Sequence, residues 1–227
     1  MAPKTFAELF DNTTAIAIDK AVENYRALLE KHSREFETDA VQTVLGQSEF
    51  ADEQFAVFRR HVEVLSNFIV RCVKVIRNRT SQEALDAAGC RQYTDRKVVD
   101  AMPKGNGNNQ SDDVEVVFFK PEPWEYTRPG YMSDDDLEKC FDRRGLKSAD
   151  LLSAAAVSED DPTFADEHPY GTHWKDIDGN WCYVAFNHWH GGRRVSVNLR
   201  DNDWSVIWWF AGVRLPAMPA HAGQASK

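Results

Sequence analysis

The sequence lacks the segments that mark a membrane-spanning or secreted protein. No stretch approaches the roughly 18 uncharged apolar residues that a membrane span needs. The first residues contain neither a continuous apolar run nor a cleavage site of the signal-peptide type. The four cysteines are scattered and form no CxxC pair, which is typical of a reducing compartment. These absences predict a cytoplasmic protein that has no contact with a membrane.

The sequence also lacks the short motifs of the common enzyme classes. It contains no G-x-S-x-G nucleophile elbow, no Walker A loop and no G-x-G-x-x-G dinucleotide fingerprint, and no cysteine stands in a recognisable catalytic context. These absences favour a non-enzymatic protein with no cofactor, although an enzyme can also have a site without any short motif.

Acidic residues exceed basic ones, and the excess lies in the middle of the chain. The net charge is −9 over 227 residues. Residues 112–167 carry 16 acidic and 6 basic side chains, whereas residues 71–97 carry 7 basic and 3 acidic ones. An acidic chain repels nucleic acid overall, but a local basic patch can still bind it.

Apolar residues at helical spacing predict that residues 1–103 are helical. Long helices are expected at about 5–46 and 51–79, and short ones at 81–88 and 94–102. The short link between the two long helices predicts an antiparallel helical hairpin. The apolar stripe of the second helix repeats over three heptads, a pattern that could instead support a coiled-coil dimer.

The remainder of the chain predicts a second domain at 114–215. A polar, Gly- and Asn-rich linker at 104–113 precedes it, and a disordered tail is expected at 216–227. Short helices are expected after Ser133 and Ser148, followed by alternating apolar and polar residues broken by turn signals. The predicted fold class is α+β, with an N-terminal helical hairpin region and a small Trp-rich antiparallel β-meander domain with short helices.

Six of the seven tryptophans lie between Trp174 and Trp209, which is more aromatic surface than a small sheet needs. They could form the core, or they could form a binding face, because Trp and Tyr are favoured at interfaces. The second interpretation makes the protein an interaction module that binds a protein partner or a second copy of itself. The predicted recognition surface comprises Trp181, Tyr183, Trp189, Trp204, Trp208, Arg193, Arg194 and Arg214.

Three histidines in the same region suggest an alternative function. His188 and His190 form an H-x-H pair whose rings lie on one strand face about 7 Å apart, and His173 on a neighbouring strand could be a third zinc ligand. Such a site would predict a metal-dependent hydrolase. The simpler interpretation is that the same histidines lie on the solvent face and at the end of a hairpin.

The basic segment 71–97 suggests a further alternative, a nucleic-acid-associated regulator. Its two predicted short helices, separated by Gly89, have the outline of a helix-turn-helix motif. Asp95 opposes that interpretation, because a carboxylate at the start of the second helix would face the phosphates. A solvated helix face explains the same charges.

The segments VEVVFFK, DDLEKCFDRRGLKSADLLSAAAVSEDDPTFADEHP, GTHWKDIDGNWCYVAFNHW and WWFAGVR, in this order, resemble a set of uncharacterised proteins predicted from uncultivated bacteria or their phages. The resemblance covers roughly residues 90–214. Since no activity is assigned to that set, the resemblance implies no catalytic residue, cofactor or substrate. It implies a modular accessory protein rather than a housekeeping enzyme.

Overall fold

A computed structural model describes residues 12–102, 111–200 and 202–215, with side chains from residue 16 onward. The chain divides into two compact units, unit 1 (Met1–Val64) and unit 2 (Leu65–Lys227). Helices combine with a mixed sheet that contains the Trp-rich strands, which confirms the α+β class. Within the described ranges, no helix is long and apolar enough to cross a membrane.

Unit 1 is helical, and its described side chains form no buried interior. Its helices are α1 (Asn12–Lys31), α2 (Thr38–Leu45) and α3 (Ser48–Leu65), with a 3-10 turn at Ser33–Glu35. The turn interrupts the long helix expected at 5–46, whose first residues lie outside the described part of the chain. None of the described side chains from 16 to 64 is buried. The two long helices of the expected hairpin therefore do not enclose an apolar core.

The helix predicted at 51–79 is wrong beyond Leu65, because strand β1 (Phe68–Ile76) follows. The segment FIVRCVKVI is rich in β-branched residues, which favour strands. Its burial alternates with a period of two, and Ile69, Val73 and Val75 are buried on one face. In a segment this short, the same apolar residues fit both the spacing of a helix face and the alternation of a strand.

The short elements that follow differ from the prediction in part. Helix α4 (Ser81–Ala87) matches the expected helix at 81–88 and begins after a capping box between Thr80 and Glu83. The helix expected at 94–102 is replaced by strand β2 (Arg91–Thr94) and the shorter helix α5 (Arg96–Asp100), which Asp95 caps.

The domain boundary lies earlier than the predicted linker at 104–113. Strand β3 (Ser111–Phe119) pairs antiparallel with β1 along the full length of both strands. Residues 68–102 therefore belong to the same sheet unit as the Trp-rich strands, because their backbone hydrogen bonds join them to it. Most of the predicted linker (104–110) and the whole predicted tail (216–227) lie outside the described residues.

The main sheet has the order β1-β3-β10-β6-β7-β8-β2. Strands β6 (Tyr170–Lys175), β7 (Trp181–Trp189) and β8 (Gly192–Leu199) form the antiparallel hairpins expected from the turn signals. Strand β5 (Leu146–Ser148) pairs with the end of β10 (Trp209–Arg214).

The meander predicted for the last strand is wrong. Strand β9 (Trp204–Ser205) pairs with β4 (Tyr131–Met132) in a separate two-stranded sheet. Strand β10 then returns to lie between β3 and β6, and it pairs with β6 in parallel. A central position suits β10, because its first residues are buried on both faces of the sheet.

Helices cover both faces of the main sheet. Helix α7 (Leu151–Asp160), with α8 (Phe164–Glu167), contributes to one buried core, which includes Tyr170. Helix α6 (Asp134–Arg143) and the β4–β9 pair contribute to the other core, which includes Trp204. Ser133 caps α6 as predicted, whereas Asp150 rather than Ser148 caps α7. With both faces covered, Trp204 and Trp209 are buried, Trp174, Trp181 and Trp208 are half-buried, and Trp189 is exposed.

Candidate functional site

His173 lies at the centre of a buried charged cluster between β6 and α6. Its Nδ1 lies 2.7 Å from an oxygen of Asp134, and its Nε2 lies 3.0 Å from an oxygen of Glu138. The ring stacks on the indole of Trp181 with a centroid separation of 4.4 Å and an interplanar angle of 9°. Since both nitrogens face carboxylates, the geometry suits the doubly protonated imidazolium, which donates at both positions.

Asp134 connects this histidine to the second core. Besides His173, it accepts a hydrogen bond of 2.8 Å from the indole Nε1–H of Trp204, and Arg200 lies 3.7 Å away. Burial alone would lower the pKa of His173, but the hydrogen bonds to Asp134 and Glu138 outweigh burial and raise that pKa above its usual value. The buried imidazolium thus holds the first turns of α6 against the sheet.

A cleft of about 610 Å³ lies beside this cluster, and its charges are mostly paired locally. Lys139 lies 2.7 Å from Asp136, and Lys175 lies 3.8 Å from Asp135. Both nitrogens of His173 are occupied, so neither is placed to exchange a proton with a substrate. The cluster is therefore suited to a structural role.

The structure does not bring the three predicted zinc ligands together. His173 pairs with Tyr183 across β6 and β7, whereas His188 lies five residues farther along β7 and pairs with Arg193. Five residues of strand separate them by about 17 Å, so they cannot share one metal ion. His190 lies in the turn after β7, with a φ of 50°. In the described ranges, no group of three or more His, Cys, Asp or Glu residues could hold a metal ion.

The helix-turn-helix outline predicted within 71–97 is also absent, because strand β2 stands where the second helix should begin. Several basic residues of this segment pair with acids from other elements. Arg77 lies 3.0 Å from Asp112 and 3.1 Å from Asp150, and Arg79 lies 2.5 Å from Glu159. These ion pairs hold the sheet edge to α7. They also leave fewer unpaired positive charges in segment 71–97 that could bind the phosphates of a nucleic acid.

A second cleft, of about 290 Å³, lies where β2 meets β8 and the β7–β8 turn. It is named here the Trp189 cleft. Its lining residues are Arg91, Tyr93, Trp189, His190, Gly191, Gly192, Arg193 and Arg194.

Two arginines of the Trp189 cleft lie over one aromatic ring. Arg91 and Arg194 are register partners in the parallel β2–β8 pair. The guanidinium carbon of Arg194 lies 4.1 Å from the centroid of Tyr93, and that of Arg91 lies 5.3 Å from it. The Nε of Arg194 is buried and has no hydrogen-bond partner among the described residues. Tyr93 thus holds two like charges close together at the sheet edge.

The remaining side chains complete the cleft. Arg193 donates to the backbone carbonyls of Pro162 (3.3 Å) and Gly89 (3.5 Å), which fixes its position without neutralising its charge. Trp189 is 54% exposed, and its ring stands perpendicular to that of His190 at 5.5 Å. The cleft therefore combines an exposed indole with three positive charges.

The arginines of the Trp189 cleft differ from the other arginines of unit 2, because no described carboxylate pairs with them. Unit 2 contains twelve arginines, all within the described ranges. Nine of them form an ion pair with a carboxylate. The other three are Arg91, Arg193 and Arg194, and no described carboxylate pairs with any of them. The unpaired arginine charge of unit 2 is thus concentrated in one place.

The eight predicted recognition residues are divided among different places. Trp189, Arg193 and Arg194 lie together in the Trp189 cleft, whereas Arg214 pairs with Glu115 at 3.6 Å. The others lie elsewhere: Trp181 against His173, Trp204 in the core, and Tyr183 and Trp208 half-buried against Trp204. Tyr93 was not among the predicted residues, because its place in the cleft depends on the non-local pairing of β2 with β8.

No protein-family profile, curated protein or solved structure matches this chain. Function is therefore inferred from the side chains and their geometry.

Proposed function

We propose that this protein is a non-enzymatic cytoplasmic interaction module, and that the Trp189 cleft binds an acidic segment of a partner protein. One observation carries the proposal: the three arginines of unit 2 without a carboxylate partner all line this cleft. Arginine binds carboxylates through two parallel N–H···O bonds, so a side chain of Asp or Glu would satisfy the guanidinium groups.

The charges of the Trp189 cleft favour an anionic ligand. Like charges at the same register on neighbouring strands repel each other. Arg91 and Arg194 stand in that relation. A carboxylate between them would replace repulsion with two attractive contacts. Trp189 would add apolar contact area at the rim, as tryptophan does at many interfaces.

An acidic protein segment fits this chain better than nucleic acid does. The net charge is −9, so a long polyanion meets repulsion away from the cleft. Three arginines contact few phosphates, and affinity for nucleic acid depends on the number of phosphates neutralised. A short acidic segment needs only the local charge.

Fluorescence anisotropy with a labelled peptide tests the proposal. The probe is a fluorescein-labelled peptide with six glutamates, compared with the same peptide carrying six glutamines. We expect the acidic peptide to bind the full chain, and we expect Arg194→Gln and Trp189→Ala each to weaken binding about tenfold or more. Arg214→Gln is the matched control, because it removes an arginine that is exposed but paired with Glu115.

Two outcomes would overturn the proposal. Equal binding of the two peptides would show that charge is not recognised, and equal loss in all three variants would show that the cleft is not the site. A single-stranded oligonucleotide of similar charge is measured in parallel. If it binds more tightly than the peptide and requires Arg194, the ligand is nucleic acid and not a protein segment.

A further inference from the structure

Helix α3 carries an apolar stripe that the described side chains of unit 1 leave exposed. Ala51, Phe55, Phe58, Val62 and Leu65 follow one another at intervals of four, three, four and three residues. This is the spacing that lines one face of a helix in a coiled coil. Phe55 is 54% exposed, Phe58 is 60% exposed and Val62 is 47% exposed.

Such a stripe is costly to leave in water. Most of the stability of a helix comes from packing its apolar face rather than from intrinsic propensity. Burying a Phe or Val side chain completely contributes about 1.5–3 kcal/mol. Since none of the described side chains from 16 to 64 is buried, these side chains gain little of this energy from one another.

The charges beside the stripe indicate what covers it. Asp52 follows Ala51 and Arg59 follows Phe58, so both lie along the same side of the stripe, seven residues apart. The guanidinium of Arg59 lies 4.9 Å from the ring centroid of Phe55, which places that charge at the edge of the apolar line. The opposite side carries Gln54 and His61.

We propose that α3 pairs antiparallel with α3 of a second copy of this chain. In this arrangement Phe55 packs against Phe58 of the second copy, and Ala51 packs against Val62 of the second copy. The same register places Asp52 opposite Arg59 of the second copy, and the two-fold symmetry repeats that contact. The interface is therefore self-complementary and closed at two copies.

A parallel pair of the same helices lacks this complementarity. In parallel coiled coils the flanking positions of one helix face positions five residues farther along the other. Those contacts would pair Gln54 with Arg59, and Gln47 with Asp52, which brings no opposite charges together. Flanking charges set the orientation of helix pairs, and here they favour the antiparallel one.

The proposal is tested by exchanging the charges of Asp52 and Arg59 and measuring the mass of the protein in solution. The full chain is examined by sedimentation equilibrium from about 1 to 100 µM. We expect the wild type to form a dimer, and we expect Asp52→Arg alone and Arg59→Asp alone each to weaken it about tenfold or more. The double variant Asp52→Arg/Arg59→Asp restores opposite charges across an antiparallel interface, so dimerisation should recover.

The design separates this interface from the alternatives. Residues seven apart on one helix do not contact each other, so recovery in the double variant cannot arise within a single α3. The matched control is Glu53→Arg, which makes the same charge change on the face turned away from the stripe and should leave the dimer intact. Unchanged tryptophan fluorescence confirms that unit 2 remains folded in every variant.

Three results would overturn the inference. A wild type that is monomeric throughout would mean that the stripe is covered by another segment or by another protein. Single variants that dimerise normally would show that Asp52 and Arg59 do not face each other. A double variant that fails to recover would exclude the antiparallel register.

Discussion

Arg91 and Arg194 are register partners across the parallel strands β2 and β8, and both guanidinium groups lie over the ring of Tyr93. Folding thus places two like charges side by side at an edge of the sheet. Proteins usually keep like charges apart on neighbouring strands, and exceptions occur mainly at functional sites, where a ligand can offset the repulsion. An anion held between the two arginines would remove their repulsion.

Anions should therefore stabilise the folded protein beyond their effect on ionic strength. A ligand that binds only the folded state, at a concentration ten times its Kd, adds about 1.4 kcal/mol to the free energy of unfolding. We expect inorganic phosphate to raise the Tm by about 3–6 °C relative to chloride at equal ionic strength, as measured by calorimetry. Arg194→Gln should lose this increment and Arg214→Gln should keep it. The same increment in all three proteins would assign the anion effect to another surface.

The free energy of unfolding should fall as the pH rises through the folded-state pKa of His173. That pKa lies above the ordinary value of 6.5, because the hydrogen bonds to Asp134 and Glu138 outweigh the effect of burial. The folded state then binds more protons than the unfolded state between these two values, so the stabilisation is complete below about pH 6.5 and is lost above the folded pKa. Urea unfolding between pH 6 and pH 9 checks this. His173→Gln should be less stable at pH 6 and should lack this pH dependence.

Substitution of Trp204 should lower the free energy of unfolding much more than substitution of Trp189. Trp204→Phe removes the indole N–H that donates to Asp134 inside the core, and losing a buried hydrogen bond to a charged group costs about 1.5–3 kcal/mol. Trp189→Phe changes an exposed ring and should alter the free energy of unfolding by less than about 0.5 kcal/mol. Urea unfolding of both variants measures the difference. Similar losses would mean that Trp189 contributes to the core and is not free for recognition.

Glu125 should be essential for the stability of unit 2. Its side chain is buried and lies 2.7 Å from Arg143 and 2.6 Å from Arg144. Burial would raise the pKa of Glu125, but hydrogen bonds from Arg144 and from its own capping turn outweigh burial and hold the pKa at about 2. The stabilisation is complete above its unfolded value near 4.5 and is lost as the pH falls towards 2.

Replacing Glu125 with Gln leaves Arg144 without its charged partner, and breaking a buried pair costs about 3–5 kcal/mol. Urea unfolding at pH 7 measures this loss. Lys139→Gln, which removes an exposed partner of Asp136, is the control and should cost less than about 1 kcal/mol. A Glu125→Gln variant as stable as the wild type would contradict the account.

Local patterns in the sequence predicted the parts of the fold that depend on neighbouring residues. The strands from Tyr170 to Leu199 were expected because turn residues separate alternating segments, and α6 was expected because Ser133 precedes its first turn. The helix expected through Phe68–Ile76 was wrong, since pairing with β3 overrides a helical spacing that β-branched residues only mimic.

Features that depend on distant pairing could not be read from the sequence. Strand β10 returns to the middle of the sheet, and its turn signals do not specify which neighbours it will have. In the same way, Trp189, Arg193 and Arg194 were predicted as recognition residues, but Tyr93 joins them only because β2 pairs in parallel with β8. The buried partner of Trp204, Asp134, lies 70 residues away in the chain.

Nuclear magnetic resonance of the tryptophan indole N–H groups tests the central claim most directly. The seven tryptophans give seven indole signals in a ¹H–¹⁵N spectrum, and the Trp189→Phe variant identifies one of them. On titration with the six-glutamate peptide, we expect the Trp189 signal to shift progressively while that of Trp181, which stacks on His173, stays in place. A Trp189 signal that does not move while the peptide binds elsewhere would contradict the assignment of this cleft as the recognition site.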